Sequence, residues 1–339
     1  MDSMTHGRLR DDLNFSARYL RMIAAERGWQ LLLHPDGAFA GEVRLPDGAS
    51  RYFVRSTYDL NSAGAAKVAL DKGLTKFFLH EKGFPVIEGQ TFFSDRLCAE
   101  TGSRRDSHAA VQYATSIGFP VMVKANSGGG GEGIERASDA AEVEQALARA
   151  FAFGDVVLIE SYLEGLRDYR LLVLDREVLL AYERRPFAVV GDGISTVAEL
   201  VDEFRRTAIV RGSGTPDFDR LQRSLVRAGV TETDVLEPGV LLAPIEVANL
   251  SQGGSAVEVT NAVHPNIARL AVDAARAIGL RYAGVDILSD DATRETSVAY
   301  ILEVNASPTI HQFAALCHPA EERLIALHRK ILDALAGAA

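Results

Sequence analysis

The sequence predicts a mixed α/β (α+β) fold built from two or three packed units. Three observations carry this. Apolar residues recur at gaps of three and four, as at Leu13, Ala17, Leu20, Ile23 and Ala24, which puts one helix face toward a core. Short apolar runs bounded by Gly, Pro, Asn or Asp lie between such stretches and read as strands. The chain has 339 residues, more than one domain usually holds, and its apolar share of 47% can fill a sizeable core.

The elements follow in order. Residues 11–30 read as a helix ended by Gly28, and 31–33 and 52–54 as strands with Pro46-Asp47-Gly48 as the turn between them. Residues 1–65 thus form a short N-terminal α/β cap. One helix is expected over 64–82, after which Phe84-Pro85-Val86 leads into extended chain. Residues 107–117 are helical, closed by Gly118 and Pro120. A strand at 121–124 runs into Asn126-Ser127-Gly128-Gly129-Gly130-Gly131-Glu132-Gly133, and another short strand follows. Ser138 is expected to cap a helix to about Phe153. Residues 156–160 are a buried strand, and 169–173 with 178–184 a hairpin across Asp175-Arg176. Gly191-Asp192-Gly193 makes a tight loop, and Thr196 with Glu199 has capping-box spacing for a helix to Ile209. Residues 211–240 are polar and offer no assignable element. A helix at 265–278 starts with Pro265 and ends at Gly279. Two strands follow, at 284–288 and 301–305, then a final helix from about Ala320. Trp29 and the Phe77-Phe78 pair read as core.

Charge and composition remove several function classes. The formal charge is −10 and there is no concentrated basic stripe, so a nucleic-acid surface is not expected. The acidic excess reads as a solvated surface. Cys98 and Cys317 are too few and too far apart for a disulfide framework or a zinc site, which suits a reducing compartment. No window reaches the roughly 18 apolar residues of a membrane span, and the N-terminus lacks the charged-then-apolar form of a signal peptide. A cytoplasmic protein without membrane partners is therefore expected.

The chemistry concentrates near the C-terminus. Side chains of a strand alternate faces, so Glu303 and Asn305 point the same way, and Asp286 joins them if the two strands pair. Two carboxylates and an amide oxygen on one face suit a hard cation such as Mg²⁺, which shares oxygen ligands with substrate phosphates. The four glycines at 128–131 let backbone N–H groups approach an anion. They are not a Walker loop, which needs Gly-Lys-Ser/Thr leading into a helix, nor a dinucleotide turn between strand and helix. Here the glycines lie between two strands and Lys124 precedes them, which suits a flap over a nucleotide triphosphate.

Taken together, Asp71-Lys72, Val123-Lys124 before the glycines, Ile159-Glu160-Ser161-Tyr162-Leu163-Glu164-Gly165, Asp168-Tyr169-Arg170 and the Asp286/Glu303/Asn305 set stand in the order found in ATP-grasp enzymes. Within that superfamily the chain resembles most the ATP-grasp part of cyanophycin synthetase and the ligase part of bifunctional glutathione synthetases. Asp168 to Val173, Val190-Gly191-Asp192-Gly193, Ala248 to Gly254, Val259-Thr260, His264-Pro265 and Leu302-Glu303-Val304-Asn305 carry that likeness, which runs from about Ser62 to about His311.

The resemblance implies an ATP-grasp fold, two α+β subdomains gripping ATP over 66–163 and 164–339 behind the cap at 1–65. It implies that Lys72 and Lys124 contact ATP phosphates, that Ser127, Gly128, Gly129, Gly130, Gly131 and Gly133 form a lid, and that Glu160, Tyr162 and Leu163 belong to a hinge whose backbone pairs with adenine. Asp168 would hold the ribose. Asp286, Glu303 and Asn305 would bind Mg²⁺, with Mn²⁺ as an alternative. Arg170 and Arg184 would meet the transferred phosphate, and Asn249 would border the acceptor end. The implied reaction is ATP-dependent amide formation between small amino-acid or peptide substrates through an acyl phosphate. A small-molecule kinase or a non-catalytic ATP-binding subunit are the alternatives, and a homodimer stays open. Departures are Ala125 after the lid lysine where relatives often have proline, Ile245-Glu246-Val247 where they tend to carry a base, and Pro308-Thr309 for Pro-Gly. No length is left for a second ligase unit, so polymer synthesis is not expected. His264 reads as a capping or packing residue, and His311 stands near enough to the metal strand for a substrate contact to be open.

Overall fold

The structure, a computed structural model, describes residues 15–337 apart from 129, 130, 132, 212, 213, 246 and 296. Leu13, Gly129, Gly130, Glu132 and Glu246, named in the sequence analysis, lie outside these residues. The N-terminal layer is α1 (Phe15–Glu26) followed by a four-stranded antiparallel sheet of β1 (Gln30–Leu33), β2 (Ala40–Arg44), β3 (Ser50–Val54) and β4 (Thr57–Tyr58) in sequential order. Strand β2, Ala-Gly-Glu-Val-Arg, was absent from the expected elements because it shows no apolar alternation. Pro46-Asp47-Gly48 therefore joins β2 to β3.

The single helix expected over 64–82 is two: α2 (Ala63–Ala69) and α3 (Lys72–Glu81). Asp71 takes an extended backbone, and its carboxylate accepts the Leu74 N–H at 2.8 Å, so it caps a new helix instead of continuing the old one. Helix α3 buries Thr75 and Leu79, which leaves Phe77 and Phe78 on its outer side, 55% and 39% exposed, against the core reading. Trp29 packs half-buried at the core edge, with the Arg27 guanidinium over its ring.

Next come β5 (Gly89–Phe93), α4 (Asp95–Thr101), α5 (Ser107–Ile117), β6 (Val121–Ala125), β7 (Ile134–Ala137), α6 (Ala140–Ala150) and β8 (Val156–Ser161). Their strands form an antiparallel sheet in the order β5-β8-β6-β7. Asp139, not Ser138, caps α6, because its carboxylate accepts the Glu142 N–H while the Ser138 N–H turns to the Glu142 side chain. Val121, Val123, Val157 and Ile159 pack under α5 and α6. Strand alternation then sends Met122, Lys124, Leu158 and Glu160 to the other face, where Met122 pairs with Glu160 and Lys124 with Leu158.

The C-terminal part holds β9 (Arg167–Leu174), β10 (Glu177–Arg185), β11 (Val189–Val190), α7 (Val197–Arg211), α8 (Phe218–Arg227), β12 (Leu241–Leu242), β13 (Ser255–Glu258), α9 (Pro265–Ile278), β14 (Tyr282–Ser289), β15 (Ala299–Asn305), α10 (His311–Cys317) and α11 (Glu321–Leu335). The Thr196–Glu199 capping box forms in both directions. Helix α8 lies in the stretch for which no element was assigned; Leu221 and Leu225 meet Phe187, Val197 and Val201 in a small separate core, while Phe218 and Val226 are exposed on an otherwise polar helix. His264 caps α9, its Nδ1 accepting the Asn266 N–H at 3.2 Å.

The five-stranded sheet β13-β10-β9-β14-β15 is covered on both faces. Tyr169, Leu171, Val173, Val285 and Ile287 pack with α9, α2 and the Leu79 end of α3. Leu172, Leu174, Leu180, Tyr182 and Tyr282 pack on the opposite face with the N-terminal layer, α10 and α11. That second face is where alternation also sends Asp168, Arg170, Arg184 and Asp286, at the end the apolar layer leaves uncovered.

Candidate active site

A cleft of about 500 Å³ separates this polar sheet end from the Met122/Lys124/Leu158/Glu160 face of the other sheet. On the C-terminal side, register decides who meets whom. Asp286 lies opposite Arg170 across β14–β9 and opposite Glu303 across β14–β15, while Gly284 lies opposite Asn305. The pairing therefore brings Asp286, Glu303 and Asn305 to one face, although a bulge follows Asp286. Asp286 is fully enclosed and accepts hydrogen bonds from Arg170 Nη2 and Arg184 Nη2, each at 2.8 Å. Arg184 also donates to Asp168, at 2.7 Å and 2.9 Å from Nη2.

These four groups form one electrostatic unit. Burial works to raise Asp286, but Arg170 and Arg184 outweigh it and hold its carboxyl below the usual range. Burial pushes Asp168 up to about 6; Arg184 pulls it back and the neighbouring Asp286 charge adds to the rise.

The oxygens of Asp286, Glu303 and Asn305 suit a hard cation, while the Asn305 amide nitrogen, buried without a hydrogen-bond partner, is a donor left for an acceptor such as a phosphate oxygen. Glu303 lines the cleft, with no ion-pair partner among the described residues. Among the described residues no three His, Cys, Asp or Glu side chains are placed to hold a metal ion together; this set is two carboxylates and an amide. A cation at Asp286 would share that carboxylate with, or displace, an arginine.

On the facing wall, Lys124 pairs with the buried Glu160, and Lys76 Nζ sits 2.9 Å from the second Glu160 oxygen. Burial would raise Glu160, but the two lysines outweigh it and lower it. Burial depresses the Lys76 amine against the pull of Glu160. Lys76 had not been singled out in the sequence. The one available signal was its spacing of four from Lys72, which puts both on one side of α3. Lys72 Nζ donates to the carbonyls of Asn126 and Gly128, at 3.4 Å and 3.3 Å, so it lies at the root of the glycine loop.

Within the loop, Gly128 and Gly131 line the cleft, whereas Ser127 is exposed away from it. Gly133 has φ +62°, and a Cβ there would meet Ala125 and Phe153 at 2.9 Å and 3.0 Å, so only glycine fits without movement. Tyr162 and Leu163 line the mouth beside Met122, Leu158 and Leu302. The Ser161 and Tyr162 N–H groups already donate to Glu88 and Pro120 carbonyls. The Leu163 N–H has no partner among the described residues. Asn249 caps a 3-10 turn, Leu250–Gln252, by accepting from the Ser251 N–H, and faces the cleft near Gly131. His311 opens α10 at the cleft's edge, while His264 is spent on its cap.

Comparison with known proteins fits this layout. Residues 95–178 match the ATP-binding domain of the carbamoyl-phosphate synthase L chain, and residues 247–327 match the RimK-like ATP-grasp domain. The fold is ATP-grasp. Cyanophycin synthetase from a Nostoc species is 35% identical over 262 residues, 74% of this chain and 27% of that protein. The glutathione biosynthesis bifunctional protein GshAB of Streptococcus agalactiae is 29% identical over 255 residues, 71% of this chain and 32% of that one. A crystal structure of a bifunctional glutathione synthetase from Pasteurella multocida superposes with a TM-score of 0.57 at 23% identity, over 93% of this chain and 43% of that one. The chain thus spans about a third or less of the curated relatives' length. Among the described residues, no helix is long and apolar enough to cross a membrane.

Proposed function

We propose that this ATP-grasp chain is an ATP-dependent carboxylate–amine ligase acting on small amino-acid-like or peptide substrates. The observation that carries the reading is the charge layout of the cleft. One wall presents Lys72 and Lys124, with Lys76 behind the Glu160 it shares with Lys124, and the other presents Asp286, Glu303 and Asn305 beside Arg170 and Arg184. Such a site offers cations to a polyphosphate and oxygens to the metal that travels with it.

In the proposed reaction a substrate carboxylate oxygen attacks the γ-phosphorus of ATP. The bond to the β-phosphate oxygen breaks, leaving ADP and an acyl phosphate. An amine nitrogen then attacks the acyl carbon, phosphate departs and the nitrogen gives up a proton. Lys72 and Lys124 would neutralise phosphate charge, and Arg170 and Arg184 would steady the transferred group. The Leu163 N–H is the hinge donor open to adenine, with Met122, Leu158 and Leu302 as apolar walls. Glu160 would act through its side chain, by holding Lys124 and Lys76, more than through its backbone. Asp168 would hold the ribose only by sharing Arg184. Mg²⁺, or Mn²⁺ in its place, bound by Asp286, Glu303 and Asn305 would supply further charge neutralisation. Asn249 and Gly131 would close the acceptor end against water, which otherwise hydrolyses the intermediate.

The packing also suggests a shifted division of the chain. Residues 63–86 share a core with the C-terminal sheet, and Ile301 N–H donates to the Pro85 carbonyl at 2.8 Å. We place the lid-bearing unit at about 87–163 and count α2 and α3 with the C-terminal unit.

ADP release with Mg²⁺-ATP across pairs of amino acids and short peptides, with mass spectrometry of each positive, tests the function. A product lighter than its substrates by one water is the expected result. A stable phosphorylated product without an amide would replace ligase by kinase, and nucleotide binding with no turnover on any pair would refute both.

A further inference from the structure

Helix α8 turns three arginines toward the glycine-loop hairpin. Arg220 Nη1 donates to the Gly131 carbonyl at 2.9 Å. Arg223 lies 3.6 Å from Glu135 on β7, and Arg227 lies 3.7 Å from Glu142 in the first turn of α6. Spacings of three and four put all three on one helix face. The helix itself is anchored elsewhere. Asp217 caps it and donates its own N–H to Gln252 Oε1 at 3.1 Å, in the turn that begins at Asn249. Leu221 and Leu225 are buried in the small separate core with Phe187, Val197 and Val201. Gly131 is therefore enclosed from outside its sheet: a Cβ there would lie 3.3 Å from Asn249 Nδ2 and 3.6 Å from Arg220 Nη1.

We propose that α8 is a clamp on the lid, with Arg220 as its positioning residue, and that it ties closure over the phosphates to the Asn249 turn at the acceptor end. This rests on the ligase reading above. The Arg223 and Arg227 pairs are long and partly solvated, so each contributes little. The Arg220–Gly131 bond is charge-assisted and part-buried, which makes it the main grip. Without it, water reaches the phosphorylated carboxyl: its oxygen attacks, phosphate leaves, the carboxylate is regenerated, and ATP is spent with no amide formed.

The test compares Arg220→Ala, Arg220→Lys and, as a control, Val226→Ala, whose side chain is 78% exposed on α8. Hydrogen exchange of the backbone over 121–137 is measured in the nucleotide-free protein and with ADP and Mg²⁺. Arg220→Ala should exchange there about tenfold faster, as the loss of one charge-assisted bond implies. Arg220→Lys should fall between, and Val226→Ala should match the parent. In turnover, phosphate released per amide formed should rise from near one to several-fold in Arg220→Ala. An unchanged exchange rate over 121–137 in both Arg220 variants would overturn the clamp, whatever the assay gives. A parent that makes no amide would refute the ligase reading instead, and the exchange measurement would still decide the clamp.

Discussion

The two walls of the cleft solve the same problem, buried charge, in opposite ways. On the lid side a single glutamate, Glu160, serves two lysines, and Lys72 stands free of any carboxylate among the described residues, so the wall carries surplus positive charge. On the sheet side Arg170 and Arg184 take up Asp168 and Asp286, and Arg167 and Arg185 pair with Glu183, so the charges balance and Glu303 is the carboxylate left without an ion-pair partner among the described residues. The difference separates two binding tasks. A wall short of carboxylates holds an anion, and a wall with a spare carboxylate holds the cation that accompanies it. It also separates how fragile the walls are. Glu160 has no substitute, while on the sheet side Asp286 is shared by two arginines and Arg184 by two carboxylates.

Glu160→Gln tests that fragility and should give the largest effect. It leaves Lys124 and Lys76 enclosed without their counter-charge, a loss of about 3–5 kcal/mol by the general cost of breaking a buried pair. Urea unfolding measures it. Stability within about 1 kcal/mol of the parent would show that the wall tolerates unpaired lysines, and the comparison would collapse. Replacing Glu303 should do the reverse, sparing the fold and striking the reaction. Glu303→Gln removes the spare carboxylate, so unfolding should barely change while ADP release falls by roughly 10²-fold at fixed Mg²⁺. Part of the loss should return at high Mg²⁺. A rate within a factor of about three of the parent would remove the cation from this side of the site.

Much of this contrast was visible in the sequence where punctuation was strong. Helices Ser107–Ile117 and Pro265–Ile278 stand where Pro, Gly and capping residues put them. The shared face of Glu303 and Asn305 followed from alternation, and register then brought in Asp286. Other features had no local signal. Strand β2 and helix α8 are mostly polar, and the apolar residues they bury, Val43 in one and Leu221 and Leu225 in the other, meet partners distant in sequence. The break at Asp71 was hidden because Leu70-Asp71 interrupts neither the apolar spacing nor the chain with a Gly or Pro. Lys76 looks like any helix lysine until the fold sets Glu160 opposite it. The cross-pairing of Arg170 and Arg184 with Asp286 depends on three strands meeting, which no single motif encodes.

The smallest expected effect concerns pH and the sheet-side cluster alone. Asp168 titrates near 6 in the folded protein against 3.8 in a solvated chain. Between those values the folded state keeps a proton that the unfolded chain releases. Its contribution is complete below about pH 4 and fades as the pH rises through 6. Asp286 and Glu160 have the opposite sign: their lowered values protect the fold above their solvated values of 3.8 and 4.5, and that protection is lost as the pH falls further. The windows hardly overlap, so they can be read apart. Asp168→Asn cannot ionise and should flatten the decline in stability from about pH 4.5 to 6.5, an effect of roughly 1 kcal/mol because Asp286 and Arg184 respond to the same proton. Thermal melts of both proteins across that range measure it. Parallel curves would mean that Arg184 keeps Asp168 ionised throughout, and that the cluster is a static pair of salt bridges rather than a group sharing a proton.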